Sequence, residues 1–183
     1  MAERITGGWD LKTILCAGAA FAAAAMPAYS ATLPIGGSAP HSARLLAAHN
    51  AERARMGVAP LRWDPALAAA AASYGPTLER LGRLQHSPRT SRPGQRENLW
   101  MGTRGAFSPE QMVGNWISEK AYFRHGRFPN VSRTGNWMDV SHYTQLIWRG
   151  TTNVGCAVHR TRRWDYLICR YSPPGNVDGR AVI

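Results

Sequence analysis

The sequence predicts a mixed α/β domain, with helices through its first two thirds and an antiparallel hairpin at its end. Three observations predict it. Apolar residues recur at helical spacing in segments 42–56, 65–84 and 109–123; two runs rich in β-branched and aromatic residues close the chain at 154–160 and 164–171; and one cysteine stands in each run. The 183 residues suit one core of ordinary size once an export segment is removed.

That export segment is read from residues 1–30. Lys12 precedes an apolar, small-residue run from Thr13 to Met26, and Ala28-Tyr29-Ser30 follows Pro27. Charged, apolar, then small is the order of a secretory signal peptide, with cleavage expected near Ser30. The run is short and alanine-rich for a membrane span, although an uncleaved anchor is the competing reading. A secreted or periplasmic location is therefore expected. Cys16 leaves with the signal, so Cys156 and Cys169 remain as an even pair, which in an oxidising compartment reads as one disulfide.

Residues 31–40 read as a flexible leader. A first helix follows from about Ser42 to Met56, with Leu45, His49, Arg53 and Met56 on one face and Gly57 as its stop. His49 on that face reads as a core histidine bonded to backbone, while His41, His125 and His159 read as surface residues. Asp64-Pro65 caps a second helix, which Gly75-Pro76 should break or kink. From His86 to Gly105 the chain reads as loop, with a short extended piece at Glu97-Asn98-Leu99-Trp100. Ser108-Pro109-Glu110-Gln111 is a capping box that opens a third helix reaching about Phe123. Arg124 to Val140 is irregular, and a short helix covers Ser141 to Trp148.

The closing hairpin gives the cysteine pairing an independent check. With Arg162-Arg163 as its turn, counting outward places Cys156 directly opposite Cys169 at a non-hydrogen-bonded position. Cα atoms there lie about 4.5 Å apart, within disulfide reach. Arg-Arg lacks the Asn-Gly chemistry of such turns, so a longer bulged loop is the fallback. A bridge of this span contributes about 3 kcal/mol on the chain-entropy account.

The charge is strongly positive, +11 from 22 Lys+Arg against 11 Asp+Glu, and Lys12 and Lys120 are the only lysines. An anionic membrane or envelope polymer is one reading; arginines scattered over a solvated surface is the simpler one. A nucleic-acid partner is not expected, because no arginine run exceeds two residues and none is interleaved with aromatics. The alanine- and arginine-rich style suggests a bacterial source.

Ser141-His142-Tyr143-Thr144-Gln145-Leu146-Ile147-Trp148 resembles the first signature of the CAP superfamily, and Tyr166-Leu167-Ile168-Cys169-Arg170-Tyr171-Ser172-Pro173-Pro174-Gly175-Asn176 resembles the second. His49-Asn50-Ala51-Glu52-Arg53, Glu97-Asn98-Leu99 and Asn153-Val154-Gly155-Cys156-Ala157 are similar to further family elements and stand in family order. The superfamily comprises cysteine-rich secretory proteins, insect antigen-five proteins and plant class-one pathogenesis-related proteins. The resemblance implies a three-layer α-β-α sandwich over residues 41–178, with 179–183 as a tail. It also implies a cleft that gathers His86, Glu97, Glu119 and His142, with His86 and His142 as ligands of Zn2+ or another divalent cation. Glu119 has support of its own, since it falls at the edge of the stripe formed by Met112, Trp116 and Phe123. Asp139, three residues ahead of His142, is more naturally a surface acid than a fifth cleft residue.

Two departures from the family pattern bear on the cleft mouth. Arg96 stands where the family has glycine before Glu97, and Ser141 replaces the residue usual before His142. The resemblance implies a monomeric binding protein for a lipid, a sterol-like molecule or another small hydrophobic or anionic ligand, with peripheral membrane contact as a further role. The alternative is a metal-dependent hydrolase, peptidase or esterase, in which Glu97 or Glu119 would be the catalytic base.

Overall fold

The computed structural model describes residues 40–183. The signal segment, Cys16 and the leader up to residue 39 lie outside the described residues. Among those described, no helix is long and apolar enough to cross a membrane.

The elements run α1 (His41–Arg55), β1 (Arg62–Trp63), α2 (Pro65–Leu81), β2 (Arg96–Thr103), α3 (Pro109–Ser118), α4 (Ser141–Leu146), β3 (Asn153–Arg160) and β4 (Trp164–Ser172). One four-stranded sheet has the order β1-β3-β4-β2, parallel between β1 and β3 and antiparallel elsewhere. Consecutive residues of β4 point to opposite faces, and both faces are covered. Leu167, Cys169 and Tyr171 join the core beneath α1, α3 and α4, while Tyr166 and Ile168 join the core beneath α2. The result is the expected α-β-α sandwich.

The hairpin register is the one counted from the turn. Cys156 pairs with Cys169, and the disulfide joins Cα atoms 4.1 Å apart. Thr161 makes the Arg162-Arg163 turn workable. Its N–H donates to the Trp164 carbonyl at 2.8 Å, and its hydroxyl accepts from the Trp164 N–H at 2.9 Å.

Three expectations change. The loop expected across 86–105 contains β2, eight residues paired along β4 from Arg96↔Tyr171 to Thr103↔Trp164. The extended piece expected at Glu97–Trp100 is its buried centre, and the strand runs further on both sides, to Arg96 and to Thr103. The second helix does not break at Gly75-Pro76 but continues to Leu81 and ends at Gly82 in the left-handed region. Pro76 faces solvent, where water can take the carbonyl it frees, and Gly75 is buried against the sheet. The third helix ends at Ser118, and residues Glu119–Tyr122 continue as a 3-10 turn. The capping box at its start is present in both halves.

Residues 179–183 are anchored. Val182 is fully buried, and its carbonyl accepts from Arg149 N–H.

The first helix buries polar side chains as well as apolar ones. Arg53 is 1% exposed, and its guanidinium donates to four backbone carbonyls: Ala59 at 2.7 Å, Leu146 at 3.0 Å, Trp148 at 2.9 Å and Thr151 at 3.0 Å. Burial lowers it to about 10, with Tyr171 opposing, so it stays charged at neutral pH. Beside it, Glu52 accepts from Tyr143 OH and Lys120 Nζ, each at 2.9 Å. His49 is the core histidine expected: Nδ1–H donates to the Leu45 carbonyl at 2.7 Å, and Nε2 accepts from Tyr171 OH at 2.8 Å.

Replacing Arg53 with Met should cost about 3 kcal/mol or more in urea unfolding, because the buried carbonyls of Leu146, Trp148 and Thr151 lose their donor. Arg53→Lys should recover only part of that loss. Burial also depresses His49 from 6.5 to about 4, with Arg53 adding to the effect and the Leu45 bond opposing it. The unfolded chain therefore takes up a proton that the folded protein refuses. Stability is complete above pH 6.5 and should fall by about 3 kcal/mol as pH drops through that window. In His49→Gln the histidine's share of that fall, between pH 6.5 and about 4, should disappear, leaving the loss from the lowered carboxylates at the acid end.

Candidate functional site

Two histidine–glutamate pairs stand on one cleft. At the start of β2, Glu97 receives His86 Nδ1 at 2.9 Å, Ser87 N–H at 3.0 Å and Ser87 Oγ at 2.9 Å. Arg170 Nε of β4 lies 3.0 Å from Glu97 Oε2 but off hydrogen-bond alignment, so the contact is an ion pair. The side chain of Glu97 is fully buried. Burial pushes its carboxyl up, but the bonds from His86 and Ser87 and the Arg170 charge outweigh it and hold the group below its usual range.

The second pair is built differently. Glu119 opens the 3-10 turn after α3 and receives His142 Nδ1 at 2.6 Å. Its other oxygen takes the backbone N–H groups of His142 and Tyr143, each at 3.0 Å. Those are the N–H groups that the first turn of α4 leaves unpaired, so Glu119 caps the helix and orients the imidazole together. Trp116 stacks beside the His142 ring, with centroids 6.1 Å apart and planes at 12°. Asn98 donates to the His142 carbonyl at 3.0 Å and so ties β2 to α4.

His86, Glu97 and His142 line a cavity of about 860 Å³, whereas Glu119 stands behind His142 rather than on the wall. With each Nδ1–H donated to a carboxylate, each ring keeps its Nε2 lone pair for the cleft. Asp139 does not join them. It accepts from Thr134 Oγ1 and Asn136 Nδ2 at the surface.

The cleft does not gather three of its histidine or carboxylate ligand atoms within 4.8 Å of one another. The group His49, Cys156 and Cys169 does meet that spacing. It is packing, however, because both sulfurs are spent in the disulfide and both nitrogens of His49 are bonded.

Sequence reading did not assign the supports: Ser87 and Arg170 around the first pair, and Asn98 and Glu52 behind the second. Glu52, Asn98 and Arg170 lie within the family-like motifs, but each is buried by distant elements, so the motifs mark the residue without its role. Arg96, flagged as a departure, does enter the rim, donating to the Gly175 carbonyl at 3.0 Å and the Asn176 carbonyl at 3.3 Å.

Residues 46–171 match the model of the cysteine-rich secretory protein family, CAP. The chain belongs to the CAP family. It is 38% identical to pathogenesis-related protein 1C of Nicotiana tabacum over 138 residues, covering 74% of this chain and 77% of that protein. Pathogenesis-related protein 1 of Arabidopsis thaliana is also 38% identical, over 130 residues, 70% of this chain and 74% of the relative. These are plant proteins, and they give no support to the bacterial source that composition suggested.

Among solved structures, NaASP2, crystallised with Zn2+, superposes with a TM-score of 0.67 at 22% identity, covering 81% of this CAP chain and 88% of its own. BmVAL-1 does so with a TM-score of 0.66 at 21% identity, over 81% and 84%. Both likenesses speak to the fold. Family membership and the disulfide fit an extracellular location.

The two glutamates should respond differently to substitution. Glu97→Gln leaves Arg170 buried without a counter-charge and should cost about 3 kcal/mol or more in urea unfolding. Glu119→Gln, at a side chain 20% exposed, should cost less than half as much.

Proposed function

We propose that this CAP protein acts outside the cytoplasm as a binding protein whose cleft holds a divalent cation at His86 and His142 and a small ligand against the surrounding wall. The observation that carries this reading is the matched pairing. Both imidazoles donate Nδ1–H to a carboxylate, the arrangement that fixes a histidine's tautomer and strengthens its Nε2 as a metal ligand. Two neutral imidazoles suit a borderline cation such as zinc, with water or ligand in the remaining positions. NaASP2, of the same fold and solved with Zn2+, supports the choice of metal to test. A bound cation would supply a Lewis-acid position for an oxygen or nitrogen of the ligand.

The carboxylates favour binding over hydrolysis. A general base needs a free lone pair aimed at the substrate. Glu97 is surrounded by His86, Ser87 and Arg170 and its carboxyl is held below its usual range, while Glu119 is shared between His142 and two backbone N–H groups. Both act as positioning residues. The cavity volume falls in the range of small-molecule sites, about 300–1,000 Å³.

Calorimetric titration with Zn2+ tests the cation site. His86→Ala/His142→Ala should abolish the signal, and Glu119→Gln should weaken affinity about 10- to 100-fold by freeing the ring. Wild-type affinity in the double variant would remove the site.

A further inference from the structure

The packing of His49 against Cys156 and Cys169 lasts only while the bridge between the sulfurs is closed. A ring nitrogen of His49 and both sulfurs lie within 4.8 Å of one another. Among the described residues this is the one group of three histidine, cysteine or acidic ligand atoms gathered so closely. The residues come from α1, β3 and β4, so the sheet and the helix over it hold them together. The Leu45 carbonyl needs a donor, so Nδ1 of His49 carries the ring proton. Nε2 keeps its lone pair, which accepts from Tyr171 OH. A backbone carbonyl on one ring nitrogen is the support that orients a metal-ligating imidazole through the other. Two thiolates and a neutral imidazole are the donors of a tetrahedral zinc site with one open position.

The bridge can be reached from outside. Cys169 is fully buried, whereas Cys156 is 6% exposed and lines a pocket of about 310 Å³ between the start of α1 and β3. His41, Ser42 and Leu45 form one side of it, and Val158 and Arg160 join Cys156 on the other. The polar rim is basic. Arg160 Nη2 donates to His41 Nε2 at 3.0 Å, and the first turn of α1 carries no acidic residue. Asp165, its side chain fully buried, stands 3.8 Å from Arg160 and leaves that rim to the cation. Such a rim favours the approach of an anion, and a thiolate is the species that attacks a disulfide.

We propose that Cys156, Cys169 and His49 form a redox-gated zinc site, opened by a small thiol that enters through this pocket. The thiolate attacks Sγ of Cys156, forms a mixed disulfide with it and expels Cys169 as a thiolate. A second thiolate attacks the external sulfur of that mixed disulfide. Cys156 then leaves as a thiolate, and the two external thiols depart as their own disulfide, having given two electrons to the protein pair. Zn2+ takes both thiolates and Nε2 of His49, displacing the Tyr171 hydroxyl, and any proton held by the cysteines leaves as it binds. Around a tetrahedral zinc the two sulfurs stand roughly 3.7 Å apart, and the pocket gives the Cys156 side chain room to turn. Water from the pocket fills the fourth position. The disulfide ties β3 to β4; zinc ties both strands to α1 as well. The site shares no residue with the cleft and does not depend on a cation at His86 and His142.

Cobalt(II), which substitutes for zinc and absorbs in the near ultraviolet when a thiolate binds it, tests the site. Full-length His86→Ala/His142→Ala protein keeps the cleft silent. Oxidised, it should show no thiolate band. After reduction with a phosphine and desalting without oxygen, one cobalt per chain should bind with that band, and Zn2+ should displace it. Adding His49→Gln should weaken cobalt about tenfold or more, and the reduced chain unfolded in urea should bind at least about tenfold more weakly than the folded one. Circular dichroism follows the fold throughout. Brief exposure of the wild type to mercaptoacetate, quenched with acid and mapped by peptide mass, should place the adduct on Cys156. A thiolate band in the oxidised protein, equal affinity in His49→Gln or in the unfolded chain, or loss of native dichroism in reduced protein holding Zn2+ would overturn the zinc site. An adduct on Cys169, or none, would overturn the route through the pocket.

Discussion

A buried guanidinium with no carboxylate partner among the described residues holds this molecule together beside its cleft. Arg53 gives its protons to the carbonyls of Ala59, Leu146, Trp148 and Thr151. Three of those carbonyls belong to the end of α4 and the turns that lead into β3, stretches with little repetitive hydrogen bonding of their own. A buried charge is tolerable only when it is fully hydrogen-bonded, and irregular backbone is tolerable inside a core only when something satisfies it. Each requirement answers the other. Because α4 carries His142, the geometry of the cleft depends on a residue that does not touch it.

The neighbouring contacts extend that logic. Glu52 joins α1 to Lys120 and Tyr143, the residues that directly follow Glu119 and His142. Tyr171 on β4 bridges His49 and Asn98, and Asn98 reaches the His142 carbonyl. The second histidine is thus fixed from α1, from the turn after α3 and from the sheet. The first pair has a different support, with Glu97 held in a strand beside Arg170, while His86 remains half exposed on its loop. One imidazole is set rigidly and the other is tethered.

Much of the fold was legible in the sequence, and for specific reasons. Hairpin register follows from counting, so Cys156 and Cys169 could be placed opposite each other, and the capping box at Ser108 and Gln111 announced the start of α3. Only the centre of the strand at 96–103 was legible, at Glu97–Trp100, because Arg96 before it and Met101, Gly102 and Thr103 after it carry no alternating pattern. The continuation of α2 past Pro76 was also hidden, since it depends on the solvent-facing position of that proline and on the sheet beneath Gly75.

By itself the sequence determined the family, most of the helices and the closing hairpin with its disulfide, through local spacing and motifs that survive in one dimension. The four residues of the two pairs came from the family resemblance, since they stand too far apart along the chain for any local motif to join them. Only the tertiary structure decided that Glu97 and Glu119 bind histidines rather than open solvent, that Glu119 stands behind the wall, and that His49 lies beside both sulfurs of the disulfide. Burial and hydrogen-bond satisfaction are properties of surroundings assembled from distant segments, and no window of sequence contains them.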